Sequence, residues 1–91
     1  MDIRKVFGQN LRRYRLESGL SQEAVAERMG VDRAHVSSME RGQQNVTLLT
    51  VWHAAQALGR PAAAFLDEDG ATAHSGSDPG VKARRRKRIK S

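Results

Sequence analysis

Residues 21–41, SQEAVAERMGVDRAHVSSMER, hold two short segments of apolar periodicity that meet at Gly30 without a spacer. Ser21 is placed to cap the first, and Glu23 puts a carboxylate in the first turn, where the helix dipole favours it. Val25, Ala26 and Met29 form an inward stripe and Gly30 stops the segment. Asp32 is an N-cap candidate for the second segment, in which Val36 and Met39 face inward while Arg33, Ala34, Ser37 and Ser38 face outward. Small side chains on that outer face let it approach another surface closely.

The flanking sequence supplies the remaining helices. Asp2 can cap a helix over residues 3–18, with Ile3, Phe7, Leu11 and Tyr14 spaced four, four and three apart on one face and Arg4, Lys5, Arg12 and Arg13 on others. Gly19 suits the left-handed residue that ends it, with Leu20 packing back. After the second short segment, Gly42 marks a stop and GQQN reads as a polar loop. Thr47 caps a fourth helix whose apolar positions are Leu48, Val51, Trp52, Ala55 and Leu58, and Gly59 closes it. Pro61 fits the first turn of a last short helix ending in Phe65 and Leu66. No β-type alternation is long enough for a strand, so the fold class expected is all-α, with five helices in a domain spanning residues 1–66.

From Asp67 the composition changes. DEDGATAHSGSDPG is acidic, small and turn-rich, and VKARRRKRIKS is a basic block. Neither buries enough apolar surface to offset ordering entropy, so residues 67–91 read as a disordered tail. The net charge of +6 divides evenly, nine basic against six acidic residues in 1–66 and seven against four in 67–91. An excess of this sign favours a polyanionic partner, nucleic acid before an anionic membrane surface.

Several classes are excluded or disfavoured by what the chain lacks. With no cysteine there is no disulfide framework, cysteine-ligated zinc or thiol nucleophile. The N-terminal sequence has no signal-peptide apolar run, and no stretch approaches the roughly 20 apolar residues of a membrane span. A soluble, cytoplasmic protein is expected. His35, His53 and His74 are scattered without metal-ligand spacing. No catalytic Ser/His/Asp arrangement, phosphate-cradling loop or carboxylate pair stands out, which argues against an enzyme and against a cofactor. No segment suggests a sensory domain or a small-molecule effector.

Two short helices joined through a glycine turn have the spacing of a helix-turn-helix, whose second helix can enter the major groove while the first crosses the phosphate backbone. A plain helical hairpin is the alternative that periodicity alone leaves open. The residues GLSQEAVAERMGVDRAHVSSMERG resemble the signature of the Cro/C1-type (XRE-like) helix-turn-helix family of phage and bacterial repressors. NVTLLTVWHAAQALG is similar to that family's fourth helix, so the resemblance runs from about Phe7 to Leu66. DRAHVSSMERGQQNVT is also similar to controller proteins of restriction-modification systems.

The resemblance implies a lambda-repressor-like fold, double-stranded DNA as partner, a homodimer and a location at the nucleoid of a bacterial cytoplasm. It assigns base reading to Arg33, Ala34 and Ser38: arginine can donate two hydrogen bonds to guanine O6 and N7, and the alanine methyl suits the thymine methyl. It assigns phosphate contacts to Gln22, His35, Ser37, Arg41, Gln43 and Gln44, with Gln22 also placed to steady a neighbouring base-contacting side chain. Arg15 and Glu40 match a structural ion pair. Arg60 stands where relatives carry an aliphatic residue, and Ala62 to Ala64 thin the last helix. Trp52, Phe65 and Leu66 are the candidates for a dimer surface. In the tail, Arg84, Arg85, Arg86, Lys87 and Arg88 form a candidate sequence-independent nucleic-acid clamp. The competing functional classes are an interaction adaptor or antitoxin-like partner using the same fold, and an architectural binder acting mainly through the tail.

Overall fold

The structure, a computed structural model, describes residues 2–69, and within them the chain runs α1 (Ile3–Glu17), α2 (Gln22–Met29), α3 (Arg33–Glu40), α4 (Leu48–Leu58) and a short 3-10 helix (Ala62–Leu66). The fifth helix is thus 3-10 rather than α: Pro61 sets its entry with φ −63° and ψ 142°, and it runs for only five residues before an extended Asp67. No strand occurs among the described residues. The basic block Arg84–Arg88 and the rest of the expected tail beyond Asp69 lie outside the described residues.

Helix starts follow the side chains that satisfy free backbone N–H groups. The Ser21 side chain accepts from the Ala24 amide at 3.0 Å, and Thr47 accepts from the Thr50 amide at 3.1 Å. Asp2 accepts from the Arg4 amide at 2.9 Å and pairs with the Arg4 guanidinium at 2.7 Å. Those hydrogen bonds hold the Asp2 carboxyl down at about 2. Asp32 departs from expectation: its side chain makes no capping hydrogen bond, and only its carbonyl receives the His35 and Val36 amides. Gly30 and Gly59 close α2 and α4 in the left-handed conformation, with φ +75° and +64°.

The core lies where α1 packs on α3, α4 and the 3-10 helix, with α2 closing it against α3 and α4. Its buried side chains are Val6, Phe7, Leu11 and Tyr14 of α1, Val25, Ala26 and Met29 of α2, Val36 and Met39 of α3, and Val51, Ala54, Ala55, Ala57 and Leu58 of α4. Ile3 and Leu48, expected inward, are exposed. Each sits in the first turn of its helix, and both border one open groove with Phe7, Val51 and Leu66, while Val6 of α1 is fully buried. Trp52, one of the apolar positions of the fourth helix, is also exposed.

Phe65 is the larger correction. Its side chain is fully buried, so it is a core residue and unavailable to a partner subunit. The ring lies 6.0 Å from Phe7 and 5.1 Å from Tyr14, edge-on to the latter. Buried Asn10 holds this segment down, its Nδ2 donating to the carbonyls of Phe65 and Asp67, each at 3.0 Å. Arg60 adds a tie from outside: its guanidinium stacks 4.5 Å from the Tyr14 ring centroid and pairs with Glu17 at 3.0 Å. Three aromatic rings thus join α1 to the C-terminal 3-10 helix, and Phe65→Ala should lower unfolding free energy by about 3 to 5 kcal/mol in urea denaturation. A loss below about 1 kcal/mol would show that Phe65 is not part of the core.

Candidate nucleic-acid interface

The orientation of α3 is set by three local constraints. Gly30, left-handed at φ +75°, turns the chain between α2 and α3, while buried Ala26 and Val36 fill the angle between them. Gly8 lets α1 pass against the end of α3: a Cβ there would stand 2.3 Å from the Met39 carbonyl oxygen and 2.8 Å from that of Glu40. The third constraint is ionic. Arg15 donates from Nε to Glu40 Oε2 at 2.6 Å and from Nη2 to Oε1 at 3.1 Å, and from Nη1 to the Leu20 carbonyl at 3.0 Å. The side chains of the pair are only 10% and 3% exposed.

Glu40 also accepts from Gln22 Nε2 at 3.1 Å, and Gln22 Oε1 in turn faces Arg33 Nη1 at 3.5 Å. Arg33 and Ala34 are exposed at the start of α3, and His35 is half-buried beside them. Ser38, half-buried one turn on, accepts from Gln44 Nε2 at 2.9 Å, which leaves its own hydroxyl proton to donate. Arg41 donates to Ser37 Oγ and, from Nε, to Gln43 Oε1 at 3.3 Å. Arg33, Ala34, Ser37, Ser38, Arg41, Gln43 and Gln44 therefore lie along α3 and the loop after it, with Gln22 joined to them across the turn.

Two features of this surface have no signal in the helical periodicity. Lys5, assigned only to an outer face of helix one, lies against the loop after α3: a Cβ on Gly42 would fall 2.7 Å from Lys5 Cγ. With φ +76° at Gly42, that approach packs the stem of the Lys5 side chain against the residue that precedes Gln43 and Gln44. The second is the engagement of Gln22 by Glu40, since nothing in the spacing shows that the ion pair reaches the start of α2. Among the described residues no group of three or more His, Asp or Glu side chains could hold a metal ion, and no helix is long and apolar enough to cross a membrane.

Away from this surface, Leu48, Leu49 and Trp52 are 86%, 62% and 54% exposed. Leu48 borders a groove of about 270 Å³ lined also by Ile3, Phe7, Val46, Val51 and Leu66. Of the three expected dimer residues, Trp52 and Leu66 are exposed and Phe65 is not.

A family model described as helix-turn-helix matches residues 11–65. The chain is 49% identical over 59 residues to the HTH-type transcriptional regulator y4dJ of Sinorhizobium fredii, a match that covers 65% of this chain and 77% of that protein. It is 40% identical over 70 residues to the control protein C.SmaI of Serratia marcescens, covering 77% and 83% of the two. Among solved structures, the restriction-modification controller protein C.AhdI of Aeromonas hydrophila superposes with a TM-score of 0.66 at 42% identity, over 68% of this chain and 94% of that one.

Removing one partner of the ion pair strands a buried charge. Arg15→Ala should therefore cost about 3 to 5 kcal/mol of unfolding free energy. Equilibrium denaturation followed by circular dichroism measures it, and a cost under about 1 kcal/mol would mean the pair behaves as a surface contact.

Proposed function

The chain belongs to the HTH_3 family of helix-turn-helix transcriptional regulators, and from that premise we propose that it is a sequence-specific, non-enzymatic DNA-binding regulator, a repressor or autoregulator of its own or a neighbouring promoter. The observation that carries the reading is the outward face of α3, with exposed Arg33 and Ala34 at its start and Ser38 one turn on, all on a helix fixed from behind by a buried ion pair. A helix so presented fits the major groove, with Arg33 reading guanine, Ala34 meeting a thymine methyl and Ser38 completing the contact. Gln22, His35, Ser37, Arg41, Gln43 and Gln44, joined by Lys5, supply phosphate contacts that fix register without reading sequence. The domain acts over residues 1–66, while the 67–91 tail with its Arg84–Arg88 block adds sequence-independent affinity that salt weakens. The site of action is the bacterial cytoplasm.

The working form is a homodimer on an inverted repeat, with half-sites about 34 to 36 Å apart or a multiple of that. Leu48, Leu49 and Trp52 support this: three large apolar side chains clustered on one helix face are unusual on a monomer of this size. Kinship with controller proteins of restriction-modification systems is consistent with autoregulation.

Selection of bound sequences from a random pool should return one inverted-repeat operator, and binding that depends only on DNA length would overturn the specific-regulator reading. On that operator, Arg33→Ala should lose about 1 to 3 kcal/mol of discrimination per half-site at one base pair. Equal loss on operator and random DNA would remove Arg33 from the base-reading set. Trp52→Asp should shift the protein to a monomer in sedimentation velocity while leaving its helical content intact. An unaltered dimer would place the interface elsewhere.

A further inference from the structure

Glu40 is buried and has an evident structural partner in Arg15, yet one of its oxygens is shared. Oε1 accepts from both Arg15 Nη2 and Gln22 Nε2, each at 3.1 Å. A carboxylate oxygen can only accept, so whatever amide meets it must present its NH₂ group. That requirement removes the twofold ambiguity of the Gln22 amide: with nitrogen turned inward to Glu40, oxygen is turned outward. The outward Oε1 is the atom that faces the Arg33 guanidinium, at 3.5 Å. An amide in the opposite orientation would present N–H groups to a cation that itself carries only donors, and the two would repel.

We infer that Glu40 is a specificity-determining positioning residue, which acts through the Gln22 amide to hold the Arg33 guanidinium in its base-reading position. The inference rests on the reading of Arg33 as a base-reading side chain and adds to it the device that aims it. Arg33 is exposed and long, so a guanidinium left to itself samples many rotamers, and each must be given up when it engages a base. An acceptor fixed beside it reduces that loss. The acceptor is fixed because its own amide is fixed, and the amide is fixed by a carboxylate whose position Arg15 determines. Charge on α1 is thereby converted into direction at the start of α3.

The test compares two DNA sites, the selected operator and the same operator with the base pair facing Arg33 replaced. The measured quantity is the ratio of the two affinities, which a lost phosphate contact or a general loss of stability does not change. Wild-type protein should show a ratio of roughly 5- to 150-fold, as expected of a good arginine–guanine contact. Gln22→Leu, which leaves the Arg15–Glu40 pair in place, and Glu40→Leu, which removes the acceptor that orients the Gln22 amide, should both lower the ratio toward that of Arg33→Ala. Glu40→Gln should keep most of it: its amide oxygen can stand where Oε1 stands, meeting the Arg15 and Gln22 donors, so the Gln22 nitrogen still turns inward. It lacks the carboxylate charge beside Arg15 just as Glu40→Leu does, so the difference between the two reads the acceptor and not the ion pair. If Arg33→Ala lowers the ratio but Gln22→Leu does not, or if Glu40→Gln is as unselective as Glu40→Leu, the inference is overturned while the base-reading role of Arg33 stands. If Arg33→Ala itself leaves the ratio unchanged, the underlying reading fails and this inference with it.

Discussion

The buried pair between Arg15 and Glu40 is the interaction on which the rest of the structure depends. Desolvating two opposite charges is favourable only when their geometry is good and their remaining polar atoms are satisfied. Here both conditions are met with atoms that belong to different segments. Arg15 directs two of its nitrogens to Glu40 and a third to the Leu20 carbonyl, in the connection between α1 and α2. Glu40 takes the guanidinium from α1 and the Gln22 amide from the start of α2. A single ion pair therefore joins the end of α1, the first turn, the beginning of α2 and the end of α3. Apolar side chains in the same volume could bury as much surface, but they would not dictate which way an amide points.

Steric and ionic constraints converge on the same end of α3. Gly8 allows the α1 backbone to approach the Met39 and Glu40 carbonyls more closely than any side chain permits, and that approach brings Glu40 within reach of Arg15. The opposite end of α3 is held more lightly, by the Gly30 turn and by Val36 packed between helices. Asp32, which contributes no side-chain cap, leaves the first turn of α3 without the usual fastening at the residues exposed for contact. The helix is clamped at its C-terminal end, while at its N-terminal end the Gly30 turn and buried Val36 hold the backbone and the Gln22–Arg33 contact touches only an exposed side chain.

Helical periodicity reveals the direction a side chain takes around its own axis, and this is why α2 and α3 are legible from the sequence in detail: Val25, Ala26, Met29, Val36 and Met39 all face the core. It does not reveal where a neighbouring element ends. Ile3 and Leu48 lie on the expected faces yet remain exposed, because nothing covers the first turns of their helices. Phe65 fails for a related reason, since its burial depends on the aromatic faces of Phe7 and Tyr14 and on Asn10, all distant from it along the chain. The site is readable to the same degree. The outward placement of Arg33, Ala34 and Ser38 follows from spacing, whereas the approach of Lys5 to Gly42 and of Glu40 to Gln22 follows only from packing.

The composition of α4 carries the argument about assembly one step further. Its buried face is Val51, Ala54, Ala55, Ala57 and Leu58, dominated by alanine, while Leu48, Leu49 and Trp52 are turned outward. Alanine inside allows α4 to lie close to α2 and to the 3-10 helix, which suits a unit with little volume to enclose. It also means that much of this helix's apolar area is left on the surface, where about 25 cal/mol per Å² is available to any partner that covers it. A domain this short buries a modest fraction of its unfolded surface on its own, so the stability missing from its interior is stored on that face. A dimer formed there would gain cohesion and, in the same step, set the separation of two α3 helices.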